Sequence, residues 1–272
     1  MITSREITYY VPTRGRTSRR PIALEELRTA GLLGNTVLVC PMMELAHWDD
    51  WARQNNEPLT VVEEPESVRN IGDCRAFMLE HCRTRYFFMI DDDVSFSHRY
   101  ENGTTTPSNM NPLRLRKHLH DEVLDMFQVY PVVGIGSRMF CQDRPFLVED
   151  KQTGWAWGYD VWKVKRDLRE CFGRLVIHED TDWCLTLLGK GHHNVILSYI
   201  VASARSVANS PEEGGCGIYR TPELVREQTA KFVALHPGVV TMREPRPGLP
   251  ETTQYRHRVA WRKAFGALLR KE

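Results

Sequence analysis

Three adjacent aspartates, Asp91, Asp92 and Asp93, end the apolar run RYFFMI. Like charges this close resist ionising together, so solvent or a cation has to take up their field. A bound divalent metal meets that need. A solvated acidic turn capping a strand is the plainer alternative, because Asp favours turns. A second acidic cluster, Glu179, Asp180 and Asp182 in HEDTDWCL, comes much later in the chain. Oxygen donors of this kind suit magnesium or manganese, which take one or two carboxylates together with phosphate oxygens. The pair of clusters therefore points to a phosphorylated or diphosphorylated substrate.

The elements around these residues indicate how they are positioned. ITYYVP (7–12), NTVLVC and LTVVEE read as strands, separated by helices over IALEELRTAGLLG (22–34) and MELAHWDDWARQN. A further helix over 67–84 precedes the buried strand that delivers the Asp triplet. This alternation predicts a parallel sheet with crossover helices. Ligands of such sheets bind at the carboxyl ends of the strands, where both the triplet and the loop TRGR fall. The turn-rich stretch 98–112 reads as an excursion before a helix in LRLRKHLHDEVLDMFQVYP, and VVGIGSRMF (132–140) as another buried strand. Glu179 to Asp182 open a helix, where acids are electrostatically favoured.

Bulk properties narrow the classes. At 272 residues, 42% hydrophobic and 26% charged, the chain is long enough for a large buried core. A formal net charge of +1 excludes a uniformly basic nucleic-acid coat but not local basic patches. Residues 243–272 carry eight Lys or Arg against three Asp or Glu, a basic tail suited to phosphates or to a solvated terminal helix. The expected division is a catalytic core over 1–205 and a C-terminal loop and helical extension over 206–272. Seven scattered cysteines form neither a CxxC pair nor a zinc pattern, and no apolar run is long enough for a membrane span. These features predict a cytoplasmic protein, in the host cytoplasm if viral, with no membrane partner.

An N-terminal strand leading into PTRGR, the segment SVRNIGDCRAFMLEHCRTRYFFMIDDDV and a later Glu-Asp-x-Asp at a helix start together resemble nucleotide-sugar glycosyltransferases of the GT-A fold. With the GGC loop and the basic tail, the order is similar to phage-type, TET-associated glycosyltransferases of hydroxymethylated DNA bases. The resemblance implies an α/β fold with a mixed, mostly parallel Rossmann-like sheet flanked by helices. It also implies a nucleoside-diphosphate-sugar donor, UDP-sugar favoured, with Mn2+ or Mg2+, and a 5-hydroxymethylpyrimidine in DNA as acceptor. Pro12, Thr13, Arg14, Arg16, Arg69, Asn70 and Arg75 would bind the donor. Asp93 would hold the metal, while Asp91 or Asp92 would contact ribose or complete the metal shell, with Asp91 the second metal ligand. Asp180 would act as general base, and Asp182 would share that role or hold the acceptor. Many such enzymes supply a metal-binding His after the next strand; SYIVASARSVANS has none, leaving His236 or His257 to swing in.

Trp155, Trp157 and Tyr159 in GWAWGY are candidates for stacking on the acceptor, with core packing the plainer explanation. The glycines of GGCGIY (214–219) would close over a diphosphate or simply turn the chain. Two rival enzymatic readings remain. IDDDVS also fits a haloacid dehalogenase-like phosphatase, with Asp91 as nucleophile, Asp93 as acid, Ser95 on phosphate, and Glu179 and Asp180 on magnesium; that motif ends a first strand, whereas three strands precede it here. A glycosyltransferase acting on a polysaccharide or protein is the other, and a non-catalytic binding module would keep the acids as calcium or surface features.

Overall fold

The computed structural model describes residues 6–105, 110–138, 145–204, 219–243 and 257–266. Its centre is a nine-stranded mixed sheet. Strands β1 (Ile7–Pro12), β2 (Thr36–Cys40), β3 (Thr60–Glu63) and β4 (Tyr86–Ile90) run parallel in the order β3-β2-β1-β4. They are joined by α1 (Ile22–Thr29), α2 (Met42–Gln54) and α3 (Ile71–His81). All five residues of β2 and of β4 are buried, as strands covered by helices on both faces must be.

Beyond β4 the sheet changes character. β5 (Val94–His98) leaves the Asp triplet and crosses to the far side of the sheet, pairing antiparallel with β9 (Asn194–Ala204). β6 (Val132–Ser137) runs parallel to β9, and β7 (Leu147–Glu149) antiparallel to it. β8 (Ala156–Asp160) is inserted antiparallel between β4 and β6. Gly158 permits this close insertion: a Cβ there would run into the Phe87 carbonyl and the Phe88 and Phe127 rings.

Two helical expectations are corrected. The helix expected over 22–34 stops at Thr29, and Gly31, at φ +67°, breaks it ahead of a short 3-10 turn. The long helix expected before β6 is α4 (Pro112–Arg116), a π-turn over Lys117–Glu122, and α5 (Val123–Val129). Inside that turn the Tyr9 hydroxyl donates to the Leu119 carbonyl at 3.0 Å, a side chain inserted where the backbone ladder widens.

One sheet face packs Tyr9, Phe88, Leu119 and Phe127; the other packs Tyr10, Phe87, Met89 and Trp183, against α3, α6 (Val161–Arg169) and α7 (Glu179–Gly189). Trp157 and Tyr159 belong to this second core, each 2% exposed, with the Trp157 Nε1–H donating to the Tyr159 hydroxyl at 2.8 Å. They are therefore not available to stack on an acceptor, which corrects that expectation. Their side chains, two apart on β8, share the core-facing side.

After the core come α8 (Pro222–Leu235), β10 (Val240–Met242), β11 (His257–Val259) and α9 (Trp261–Gly266). Phe232, Val240 and Ala264 pack with Leu175 and Leu185, fastening these elements to the region of α7. Most of the basic tail, together with Cys141, Cys216 and residues 214–218 of the GGC loop, lies outside the described residues. The remaining cysteines are buried and free. Among the described residues no helix is long and apolar enough to cross a membrane.

Candidate active site

At the carboxyl ends of β1 and β4 lies a cavity of about 370 Å³. Pro12, Thr13, Arg14 and Arg16 form one wall, and Asn70, Ile71, Cys74 and Arg75 at the start of α3 form another. Asp91, Asp92 and Asp93 form the floor between them. Opposite stand Trp155 and the segment Ile177 to Thr181, with Tyr219, Arg220 and His257 supplied by the C-terminal elements.

The aspartates occupy a turn closed by the Val94 amide donating to the Asp91 carbonyl at 3.1 Å. Their charges are met within the chain. Arg16 pairs with Asp92 and lies 3.7 Å from Asp93, and the Thr13 hydroxyl donates to Asp92 at 2.9 Å. Arg75 pairs with Glu179 and reaches Asp91 at 3.2 Å, its guanidinium lying 4.7 Å from the centre of the Trp157 ring. Burial nevertheless dominates: it pushes the Asp92 carboxyl up to about 7 against the pull of Arg16. It likewise pushes Glu179 to about 7 against Arg75, and raises Asp91. Desolvation disfavours the charged form of a carboxyl, and each Arg only partly offsets it.

Asp180 and Asp182 part company on α7. Asp180 lines the cavity, its Oδ1 accepting from the Thr181 amide at 2.6 Å. Asp182 is 0% exposed and does not line it. Arg174 grips Asp182 through Nε and Nη2 at 2.7 and 2.6 Å, and His236 Nε2 sits 2.6 Å from its Oδ1. The expected chemical role for Asp182 is thereby corrected to a structural one, and His236 is tied to it rather than free for a metal. His257 does reach the cavity.

Arg69 is a further correction. It does not line the cavity; its amide donates to Asp73 at 3.1 Å and its carbonyl receives Arg14 at 3.5 Å. Asn70 lines the cavity, but its side chain caps α3, accepting from the Asp73 amide at 3.1 Å. Of the aromatic trio only Trp155 borders the cavity. Ser95 does not; its hydroxyl donates to the Ser203 carbonyl at 3.3 Å, so it is not placed to hold phosphate as the phosphatase reading expects.

Among the described residues no three His, Cys, Asp or Glu side chains converge as a ready-made metal site. Asp91 and Asp93 still fit a hard cation by chemistry, offering carboxylate oxygens at the cavity floor with room for phosphate oxygens and water to complete the shell.

Several lining residues were not anticipated. Glu64, just beyond β3 and paired with Arg14, obeys the same strand-end rule as Asp91, so the sequence did contain its signal. His178, Tyr219 and Arg220 carry no such signal. His178 comes in beside Glu179 at the start of α7, and Tyr219 and Arg220 come in with the C-terminal elements, the Tyr219 hydroxyl accepting from the Ile71 amide at 3.3 Å.

Known proteins bear on this arrangement in two ways. Among solved structures, residues 1–349 of S. aureus TarS in complex with UDP-GlcNAc match at 13% identity and a TM-score of 0.52, over 97% of this chain and 71% of that one. The mannosyltransferase PcManGT from Pyrobaculum calidifontis, in complex with GDP-Man and Mn2+, matches at 15% identity and a TM-score of 0.52, over 91% of this chain and 66% of that one. At these identities the likeness shows the fold, which is GT-A. No curated protein sequence matches. The model of the family described as TET-Associated Glycosyltransferase matches residues 7–215, most of the chain and all of the sheet. The chain belongs to that family, and is a glycosyltransferase.

Proposed function

We propose that the cavity binds a nucleoside-diphosphate sugar together with a divalent cation, and that the enzyme transfers the sugar to the hydroxyl of a 5-hydroxymethylpyrimidine in DNA. The observation that carries this reading is the convergence in one cavity of the loop after β1, the Asp triplet after β4 and the acidic start of α7. The UDP-GlcNAc bound by TarS and the GDP-Man and Mn2+ bound by PcManGT support a donor of this class and a metal. The family description and the resemblance to glycosyltransferases of hydroxymethylated DNA support the acceptor.

Pro12, Thr13, Arg14 and Arg16 embrace the nucleotide, UDP being the favoured one. Arg75 holds Asp91 and Glu179 in place from below. Asp91 and Asp93 are the residues that would hold Mn2+ or Mg2+, which supplies neutralisation of charge on the departing diphosphate. In a single displacement the acceptor oxygen forms its bond to the anomeric carbon as the bond to the diphosphate breaks. Asp180 takes the proton that the acceptor hydroxyl gives up, a role needing an approach of about 2.6 to 3.2 Å. Trp155 offers a face to the pyrimidine, and stacking of that kind contributes about 1 to 3 kcal/mol per base.

Calorimetric titration of UDP, GDP and CDP with Mn2+ tests the donor site. Wild type is expected to bind one of them only with metal, and Asp93→Ala to lose that binding. If none binds, or if Asp93→Ala binds as wild type does, the donor site as drawn is wrong. Transfer onto DNA carrying 5-hydroxymethylcytosine, compared with unmodified DNA, then tests the acceptor.

A further inference from the structure

His178 precedes Glu179 and stands in the left-handed region at φ 71° and ψ 14°, a conformation that Gly adopts freely and a side chain does not. His178 lines the cavity, and its ring packs against Phe232 at 5.4 Å and edge-on against His257 at 4.5 Å. Strain of this kind persists where surrounding structure overdetermines it, and helix α8 does so here. Gln228 of α8 accepts from the Val176 amide at 2.8 Å, and Thr229 lies 3.0 Å from His178 Nε2.

The Thr229 contact favours one tautomer. The hydroxyl of Thr229 already donates to the Val225 carbonyl at 2.7 Å, so towards His178 its oxygen accepts. Nε2 therefore carries the hydrogen, and Nδ1 carries a lone pair. Among the described residues Nδ1 has no hydrogen-bond partner. Burial, reinforced by His257, holds the imidazole below its usual range. A neutral lone pair repels phosphate and carbonyl oxygens and accepts an O–H. His178 stands two residues before Asp180, and both line the cavity.

We propose that His178 is a specificity-determining residue whose Nδ1 accepts a hydrogen bond from a hydroxyl of the donor sugar; the acceptor hydroxyl has a single proton, which goes to Asp180. The inference rests on the reading of the cavity as the transfer site.

The test combines spectroscopy with kinetics. Nitrogen-15 spectra of histidine-labelled wild type should show His178 as the neutral Nε2–H tautomer, and Thr229→Val should shift it towards a mixture. Kinetics use the UDP-sugar that wild type hydrolyses, with DNA carrying 5-hydroxymethylcytosine as acceptor. His178→Gly, free of backbone strain, should raise the donor KM about tenfold, the effect of one lost hydrogen bond, with little change in kcat. His178→Asn, which tolerates this backbone and offers an acceptor oxygen, should recover much of it. A rise in the KM for the donor, measured in hydrolysis without DNA, assigns the contact to the sugar; a rise confined to DNA overturns that assignment. An Nδ1–H tautomer or an imidazolium in wild type overturns the proposal, as do unchanged KM values for both substrates in His178→Gly. If His178→Gly does not fold, the wild-type spectrum and Thr229→Val decide. Turnover of the donor by wild type stands as a separate check on the transfer-site reading, so the two can fail independently.

Discussion

Asp182→Ala and Asp180→Asn are expected to fail in opposite ways. Asp182 is wholly buried and gripped by Arg174, with His236 against the same oxygen. Removing one member of a buried ion pair costs about 3 to 5 kcal/mol, because the other charge is left without compensation. Arg174 is 24% exposed and can turn partly to water, so the low end, about 3 kcal/mol, applies. For a chain of 272 residues each kcal/mol shifts Tm by about 2 °C, which gives a fall of about 5 to 6 °C. Well below its melting point the variant should still transfer sugar at nearly the wild-type rate. Asp180→Asn keeps the cap on Thr181 and should melt within about 2 °C of wild type, yet lose about 10²- to 10⁴-fold in kcat as a missing general base does. Melting by circular dichroism and a transfer assay at low temperature separate the two. An Asp182→Ala protein of unchanged Tm and abolished transfer would refute the reasoning and return Asp182 to the chemistry.

Two further outcomes concern the scaffold. Gly158→Ala forces a methyl into the Phe87 carbonyl and the rings of Phe88 and Phe127. It should destabilise by about 3 kcal/mol or more, the upper range for overpacking, and a denaturant midpoint equal to wild type would show that β8 does not lie as described. Glu80, bound by Arg169 and Lys165, has its carboxyl pulled down to about 2. Its contribution to stability is present above the ordinary carboxylate range and is lost as pH falls through about 2. Glu80→Gln should therefore flatten the acid limb of a stability-against-pH curve, by a small amount because the pair is largely exposed; an unchanged limb would discount the contact.

The alternating strands and helices from Ile7 to Ile90 were legible because each carries its own apolar period and stop signals. The placement of β5 and β8 was not. VSFSH is five residues long, and its pairing with β9 bridges about a hundred positions of sequence. At the site, the strand-end rule located Asp91 to Asp93 and would have located Glu64. It could not say which carboxylates are spoken for, since Arg174 and His236 meet Asp182 only in three dimensions. Helix spacing gave only a hint: residues two apart point to nearly opposite sides, which separates Asp180 from Asp182, yet Glu179 and Thr181, also two apart, both line the cavity.

The aspartate triplet bears on the metal in a way the sequence concealed. Mutual repulsion argued for a cation, yet the chain answers it with Arg16, Thr13 and Arg75. Tolerance of three adjacent aspartates is thus no evidence for a metal, and the case for one rests on the donor chemistry alone. It follows that folding should not depend on the ion. Protein stripped with a chelator should melt cooperatively within about 2 °C of protein given Mn2+ without nucleotide, since weak binding to the native state adds little. Arg75→Met should do what the chelator does not. It leaves Asp91 and Glu179 unpaired beneath the cavity, and the loss of a buried partner is worth about 3 to 5 kcal/mol. A chelator that unfolds the protein while Arg75→Met leaves it intact would reverse this order, making the cation, rather than the arginines, the element that holds the acidic floor together.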